Sequence, residues 1–528
     1  MAQGSQSTLF LSGLPDLAVQ QLISCLTSYS RTALRQASKD ARRLVFRGAS
    51  EITMGVVNNA DMGALSRASM RTDTLRGLKL KLITQHVGAP EALETLLVPT
   101  VSEPWTSVHE LKILSHFGHY ACGSWTALLC QAFPNLQHLM LSAARIDTSD
   151  LFSSLAQHGR HLSSLELRGV VLEGAGLPAI EHLAELPIVQ LTFDDTVREA
   201  APALVRAVSR TLCKLTITKK ETDDVLSDWA GITAALPACQ QLTEFKTCEP
   251  VSTTVLAALS QLPMLQDVSV GAVQGLSDAT PVQCRWRRLS ITKLTLKQLA
   301  QLPVAGIDEL TLCDLYINVG HEQADAVLPT IAAAAATLQQ LPQVSWGIGA
   351  NKQPSLALRF MIGDELYDYL DAQPATPYLP CLHATLAGLA PLLKLGPADL
   401  SLDLPDYDGT GVEPDETMQW YAAEVRALGR ALAQLPSGKL NRLYLNNAYA
   451  RGEFWLTLHQ ALESAQVPFV DLYLREGTGC SAQFALFCAR TTYPLRLDLY
   501  MDSWEDEVEA DISMLRGWPG IQVTAKVN

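Results

Sequence analysis

A six-residue apolar signature recurs along this chain and leaves few folds open to it. The unit is apolar-x-x-apolar-x-apolar, followed by a loop and then a stretch of helical period. Clear copies are Leu136-x-x-Leu139-x-Leu141, Leu162-x-x-Leu165-x-Leu167, Ile188-x-x-Leu191-x-Phe193 and Leu212-x-x-Leu215-x-Ile217. Further along stand Leu265-x-x-Val268-x-Val270, Ile291-x-x-Leu294-x-Leu296 and Ile307-x-x-Leu310-x-Leu312. Near the C-terminus come Leu440-x-x-Leu443-x-Leu445, Phe469-x-x-Leu472-x-Leu474 and the run Leu495, Leu497, Leu499. Between middle positions, Leu139 to Leu215 steps by 26, 26 and 24 residues, and Leu443 through Leu472 and Leu497 to Val523 by 29, 25 and 26. Alternate residues of a short strand face one side, so each copy predicts a strand with its apolar residues turned inward. A returning helix, such as Asp150–Gln157 or Ala200–Arg210, must cover that side. One unit of this length cannot close its own interior, so neighbours have to stack.

On these residues the chain from about 75 to 528 resembles a leucine-rich-repeat array, whose period is about 20–29 residues. The resemblance implies an α/β solenoid, with parallel strands on the concave face and helices on the convex face. The family places Asn or Cys three residues after the last strand leucine, where the side chain bonds loop backbone. Here Ala144, Val170, Thr196, Lys220, Val273, Leu315 and Ala448 stand there, so the loops must satisfy their backbone groups another way. Between Trp346 and about Glu416 the period breaks, although Leu356-x-Leu358-x-Phe360 and Leu400-x-Leu402 still read as strands. The acidic, Pro-rich segment Asp364–Pro380 and the loop Asp403–Glu416 interrupt them. Four stretches result: 1–50, 51–345 with repeats, 346–416 with irregular repeats and insertions, and 417–528 with the C-terminal repeats.

Residues 1–50 do not follow the repeat. Leu14-Pro15-Asp16-Leu17 opens a helical stripe of Val19, Leu22, Ile23 and Leu26, and a second stripe runs through Leu34, Ala37, Ala41 and Leu44. Pro15 suits a first helical turn, where no N–H is required. This small α-helical module resembles an F-box, with Ala41 in place of a usual aromatic. The resemblance implies docking on the Skp-type adaptor of a cullin–RING ubiquitin ligase, with Leu14, Pro15, Leu17, Leu22, Ile23 and Leu26 in or beneath the contact. The other reading is a cap that shields the first repeat from solvent.

Composition narrows the function. An apolar fraction of 48% against 18% charged residues describes a core-forming chain, not a disordered one. A net charge of −14 repels phosphate backbones, so no nucleic-acid partner is expected. The run Arg31, Arg35, Lys39, Arg42, Arg43 and Arg47 reads as the solvated face of a helix. Eleven scattered cysteines without a CxxC pair suggest reduced thiols and a cytoplasmic protein, with nucleus and cilium also open. No apolar run reaches the roughly 20 residues needed to span a bilayer, so no membrane partner is expected.

No Walker loop, HExxH, GxSxG or Rossmann glycine run is present. Asp406, Asp408, Gly409 and Asp415 fit part of a calcium loop, but Leu404 stands where its first ligand belongs. Neither cofactor, metal nor catalytic activity is expected.

Strand residues between the leucines should line the concave face. In the middle repeats these are Glu166 and Arg168, Thr192 and Asp194, Lys214 and Thr216, and Lys293 and Thr295, a mixed set. The last repeats are richer: Arg442, Asp471 and Arg496 are expected in one column, Tyr444 and Tyr473 in the next, and Asn446, Arg475 and Tyr500 in a third, with Asp498 beside them. Tyr and Arg carry interface hot spots because each joins a large buried area to directed hydrogen bonds. This patch is the expected partner-binding site; the other reading is that Arg442, Asp471 and Arg496 neutralise one another. The expected function is a protein-interaction module, as substrate receptor of a Skp–cullin–F-box-type ligase. The alternative is a scaffolding subunit of a stable cytoskeletal or ciliary assembly.

Overall fold

A computed structural model describes residues 51–56, 76–82, 104–115, 120–121, 125–142, 144–173, 177–197, 199–218, 229–276, 285–319, 324–348, 354–362, 379–396, 399–403, 414–436, 439–448, 453–474, 495–501 and 521–527. The helical module expected at 1–50, with Leu14, Pro15, Leu17, Leu22, Ile23 and Leu26, lies outside them. The chain divides into two compact units: residues 1–249 with 261–265, and residues 250–260 with 266–528.

In unit 1 the strands are β1 (Glu51–Val56), β2 (Gly77–Leu82), β3 (Glu110–Ser115), β4 (Tyr120–Ala121), β5 (His138–Ser142) and β6 (Ala144–Asp147). They continue as β7 (Ser164–Arg168), β8 (Val171–Glu173), β9 (Gln190–Asp194), β10 (Lys214–Thr218) and β11 (Glu244–Thr247). The main sheet runs β1-β2-β3-β5-β7-β9-β10-β11, and every pairing is parallel. Leu111, Leu139, Leu165, Leu191, Leu215 and Phe245 therefore lie side by side in one buried row. Ile113, Leu141, Leu167, Phe193, Ile217 and Thr247 form a second. Burying one such aliphatic or Phe side chain contributes about 1.5–3 kcal/mol. Helices return between strands: α1 (Trp125–Ala132), α2 (Thr148–His158), α3 (Leu177–Ile180), α4 (Ala201–Val208) and α5 (Trp229–Ala235). Leu204, Val205 and Val208 show why α4 forms where it does, since its apolar residues recur at helical spacing and all are buried. Two strands outside the copies named above carry the unit as well, Val108-x-x-Leu111-x-Ile113 in full and Leu242-x-x-Phe245-x-Thr247 with a buried hydroxyl at its end.

The missing Asn row is replaced in two ways. In unit 1, β4, β6 and β8 pair in parallel as a second, three-stranded sheet, so backbone satisfies backbone just beyond the main strands. Val170 packs in the core, and its carbonyl accepts from Thr196 Oγ1 at 3.0 Å. Asp194, the last residue of β9, accepts from Gly169 N at 2.5 Å and from Thr196 N at 3.2 Å. Gly169 turns there with φ of 60°, a conformation costly for any residue with a Cβ.

Unit 2 holds β12 (Pro250–Ser252), β13 (Asp267–Gln274), β14 (Arg288–Thr295), β15 (Glu309–Val319), β16 (Gln343–Ile348) and β17 (Pro354–Ile362). After them come β18 (Asp399–Asp403), β19 (Arg442–Ala448), β20 (Phe469–Leu474), β21 (Leu495–Met501) and β22 (Ile521–Val527). Its helices are α6 (Thr253–Ser260), α7 (Leu296–Ala300), α8 (Ala324–Gln339), α9 (Leu379–Ala387), α10 (Ala390–Leu393), α11 (Pro414–Leu432) and α12 (Glu453–Ala465). Successive strands again pair in parallel except β16 with β17, and among the described residues the sheet of neither unit closes on itself. Here β13 to β15 lengthen through the loop position, so Val273 and Leu315 are strand residues packed in the core. The Val273 carbonyl accepts from Gln298 Nε2 at 2.6 Å, while Gln298 also closes a capping box with Thr295 at the start of α7.

The break in period has a structural counterpart. β15 pairs with β16 along its first half and with β17 along its second, and β16 turns into β17 through an antiparallel contact of Gly347 with Ser355. Gly347 is required by close approach: a Cβ there would lie 2.9 Å from Cys313 Cα. Of the two insertions, 363–378 and 404–413 lie outside the described residues.

Two signatures are framed differently from the sequence expectation. Leu289 and Ile291 align with Val268 and Val270, so the unit reads Trp286-x-x-Leu289-x-Ile291. Leu294 continues the strand, and Leu296 opens α7. Likewise Val470 and Leu472 align with Leu443 and Leu445, giving Val467-x-x-Val470-x-Leu472. Middle positions 443, 470, 497 and 523 then step by 27, 27 and 26. Phe469, expected in the core, is 41% exposed.

Candidate functional site

Because strand residues alternate, each row of buried leucines is flanked by a row on the sheet face that the helices leave uncovered. In unit 1 that face is tied up in local ion pairs. Lys112 meets Glu110 at 2.5 Å, Lys214 meets Glu244 at 2.9 Å, and Arg168 meets Glu166. Thr192 and Asp194 are buried, and Asp194 is engaged with Gly169 and Thr196. In unit 2, Arg288 forks onto Asp267 through two bonds of 2.7 Å, and Ser345 Oγ donates to Glu309 at 2.7 Å. With the corrected frame, Arg288 and Ser290 occupy the places expected for Lys293 and Thr295.

The last strands bring together most of the predicted patch, in a different arrangement. Register places Asp399, Arg442, Phe469 and Arg496 in one row. Ser401, Tyr444, Asp471 and Asp498 form the next. Tyr473 stands beside Tyr500 and Asn446 beside Asp403, with a bulge in β19 between Leu445 and Ala448. The expected columns Arg442–Asp471–Arg496 and Tyr444–Tyr473 are therefore corrected, because β20 sits two residues away from its expected frame. Arg475 lies outside the described residues.

Although not opposite each other, Arg442 and Asp471 do meet on the diagonal. The guanidinium grips the carboxylate in a bidentate pair, Nη2 to Oδ1 at 2.7 Å and Nε to Oδ2. The same guanidinium lies over the Tyr444 ring, 5.7 Å from its centroid. Asp471 is 1% exposed and Asp399 8%, so Asp471 is withdrawn from water and Asp399 in part. Burial pushes the Asp399 carboxyl above the usual range; Arg442 pulls it down and Asp471 pushes it up. The predicted mutual neutralisation thus holds for Arg442 with Asp471. The large hydrophobic side chain exposed on this face is Phe469, with Arg442 and Arg496 on either side. Phe469 was missed because it passed for a core residue; the even steps of the corrected frame are the signal that finds it.

Among the described residues, no group of three or more His, Cys, Asp or Glu could hold a metal ion. The calcium-loop residues Asp406, Asp408 and Gly409 lie outside them. Burial pushes the thiols of Cys130 and Cys239 up to about 12, which leaves them poor nucleophiles. Among the described residues, no helix is long and apolar enough to cross a membrane.

Fold and face together define a class: each unit is an open, parallel sheet with returning helices, consistent with the leucine-rich-repeat type. No family model matches the chain, and no curated protein matches it. Among solved structures, it is similar to the leucine-rich repeat-containing protein LegL7 from Legionella pneumophila, at 12% identity and a TM-score of 0.31. The match covers 58% of this chain and 91% of that one, a likeness too loose to carry an argument.

Proposed function

We propose that this chain is a non-catalytic protein-binding module that holds its partner on the helix-free face of unit 2. The observation that carries this reading is Phe469, a large aromatic exposed to 41% between two arginines, on a strand whose next residue, Val470, is buried. An exposed aromatic ringed by polar groups is the usual centre of a binding hot spot. Affinity purification with the intact chain and with Phe469→Ala tests it. The variant should fold and lose its partner, because a central hot-spot aromatic contributes about 2 kcal/mol or more. Equal recovery of the same partner by both proteins would reject the face.

A finer reading rests on the F-box resemblance of the N-terminal residues. In it, Leu14, Pro15, Leu17, Leu22, Ile23 and Leu26 engage a Skp-type adaptor, and the repeats hold a protein substrate for ubiquitin transfer. Co-purification of an adaptor that is lost on deleting residues 9–45 supports it. A complex that survives the deletion without adaptor supports a scaffolding subunit instead.

A further inference from the structure

We propose that Asp399, Arg442 and Asp471 form a proton-set latch on the helix-free face of unit 2: with Asp399 protonated, the guanidinium stays clasped on Asp471 and over Tyr444, and ionisation of Asp399 draws it back and loosens Tyr444. Asp399 is the direct neighbour of Arg442 on β18, yet Arg442 turns Nε and Nη2 to Asp471 on β20. Asp399 and Asp471 therefore flank the same guanidinium, and a part-buried ion pair tolerates an extra charge poorly. Uptake of one proton from solvent by Asp399 removes that excess.

On β17, uncharged Ser355 stands opposite Asp399, and Arg359 stands opposite Asp403. On β21, Arg496 is diagonal to Asp471, and Asp498 is directly opposite it. These two are of opposite sign and leave that excess standing. Asp403 lies four residues further along β18, beyond Ser401 and away from Arg442. On the other side, the buried row Leu400, Leu443 and Val470 separates the trio from the helices. Tyr444 is the coupled element, because its ring lies under the guanidinium that moves.

Burial and Asp471 together raise Asp399 in the folded chain. A carboxyl raised by folding binds its proton more tightly folded than unfolded. Its stabilising contribution is complete below the unfolded value of about 3.9 and is lost as pH rises through the folded value. Equilibrium unfolding of the full chain is compared with that of Asp399→Asn, which fixes the neutral form, between about pH 4 and pH 8. The variant should be the more stable near neutrality, with the gap closing as pH falls. A gap independent of pH, or a wild type more stable near neutrality, overturns the latch.

Should the variant not fold, NMR of the wild-type chain with 13C-labelled Asp and Tyr answers the same question. The Asp399 carboxyl, assigned with Asp399→Glu, should titrate above the ordinary aspartate value. The Tyr444 ring signal, assigned with Tyr444→Phe, should move at the same midpoint. An ordinary or lower midpoint, or a Tyr444 signal that stays still, contradicts the proposal.

Discussion

Glu249 is 0% exposed, and neither of its carboxylate oxygens has a hydrogen-bond partner. Its backbone N–H donates to Thr247 Oγ1 at 3.0 Å, so the segment is held by its main chain and not by this side chain. Replacing Glu249 by Met keeps much of the volume and removes both stranded oxygens. An unsatisfied buried polar group costs about 1–3 kcal/mol, more if charged, so Glu249→Met should stabilise by roughly that amount. For a unit of 150–250 residues each kcal/mol moves the midpoint by about 2–4 °C, so a rise of roughly 2–12 °C is expected. Glu249→Gln should recover less, since its amide still lacks partners. Differential scanning calorimetry on the full chain measures all three proteins. A fall of about 1 kcal/mol or more in Glu249→Met would refute the reasoning and show that the carboxylate holds the fold together.

Three further outcomes follow from the packing. Phe245→Ala removes a fully buried ring whose centroid lies 6.5 Å from that of Trp229, so it should cost about 3–5 kcal/mol in denaturant unfolding and shift tryptophan emission to the red. Gln298→Ala takes away both the α7 capping box and the donor to the Val273 carbonyl; a loss of about 1–2 kcal/mol is expected, with faster amide exchange in the first turn of α7. With a thiol reagent near neutral pH, exposed Cys248 should react before Cys130 and Cys239, whose thiols burial holds near 12; prompt labelling of either buried thiol would contradict their packing.

The strand rows around Leu139, Leu165, Leu191 and Leu215 were legible in the sequence because their middle positions recur at steps of 26, 26 and 24 residues. At β20 two frames compete. Residues 467, 470 and 472 are apolar, and so are 469, 472 and 474, and a shift of two preserves the alternation. Only pairing with Leu443 and Leu445 decides between them. That ambiguity displaced the candidate site, turning an exposed Phe469 into a core residue and setting Asp471 opposite Arg442. At β14 the expected frame began five residues late, because the role of first apolar residue belongs to Trp286 instead of a leucine. Periodicity was silent on the bonding of Asp194 and Gln298, which depends on the neighbouring repeat each side chain reaches, and on Glu249, whose carboxylate reaches no partner.

Disulfide trapping across β19 and β20 tests the stacked register most directly. Neighbouring strands lie about 4.8 Å apart, within reach of a disulfide, whereas diagonal partners are about 7–8 Å apart and out of reach. Mild oxidation should therefore cross-link Arg442→Cys with Phe469→Cys and spare the pair Arg442→Cys with Asp471→Cys. Cross-linking of the second pair and not the first would place Phe469 back in the core and remove the face built around it.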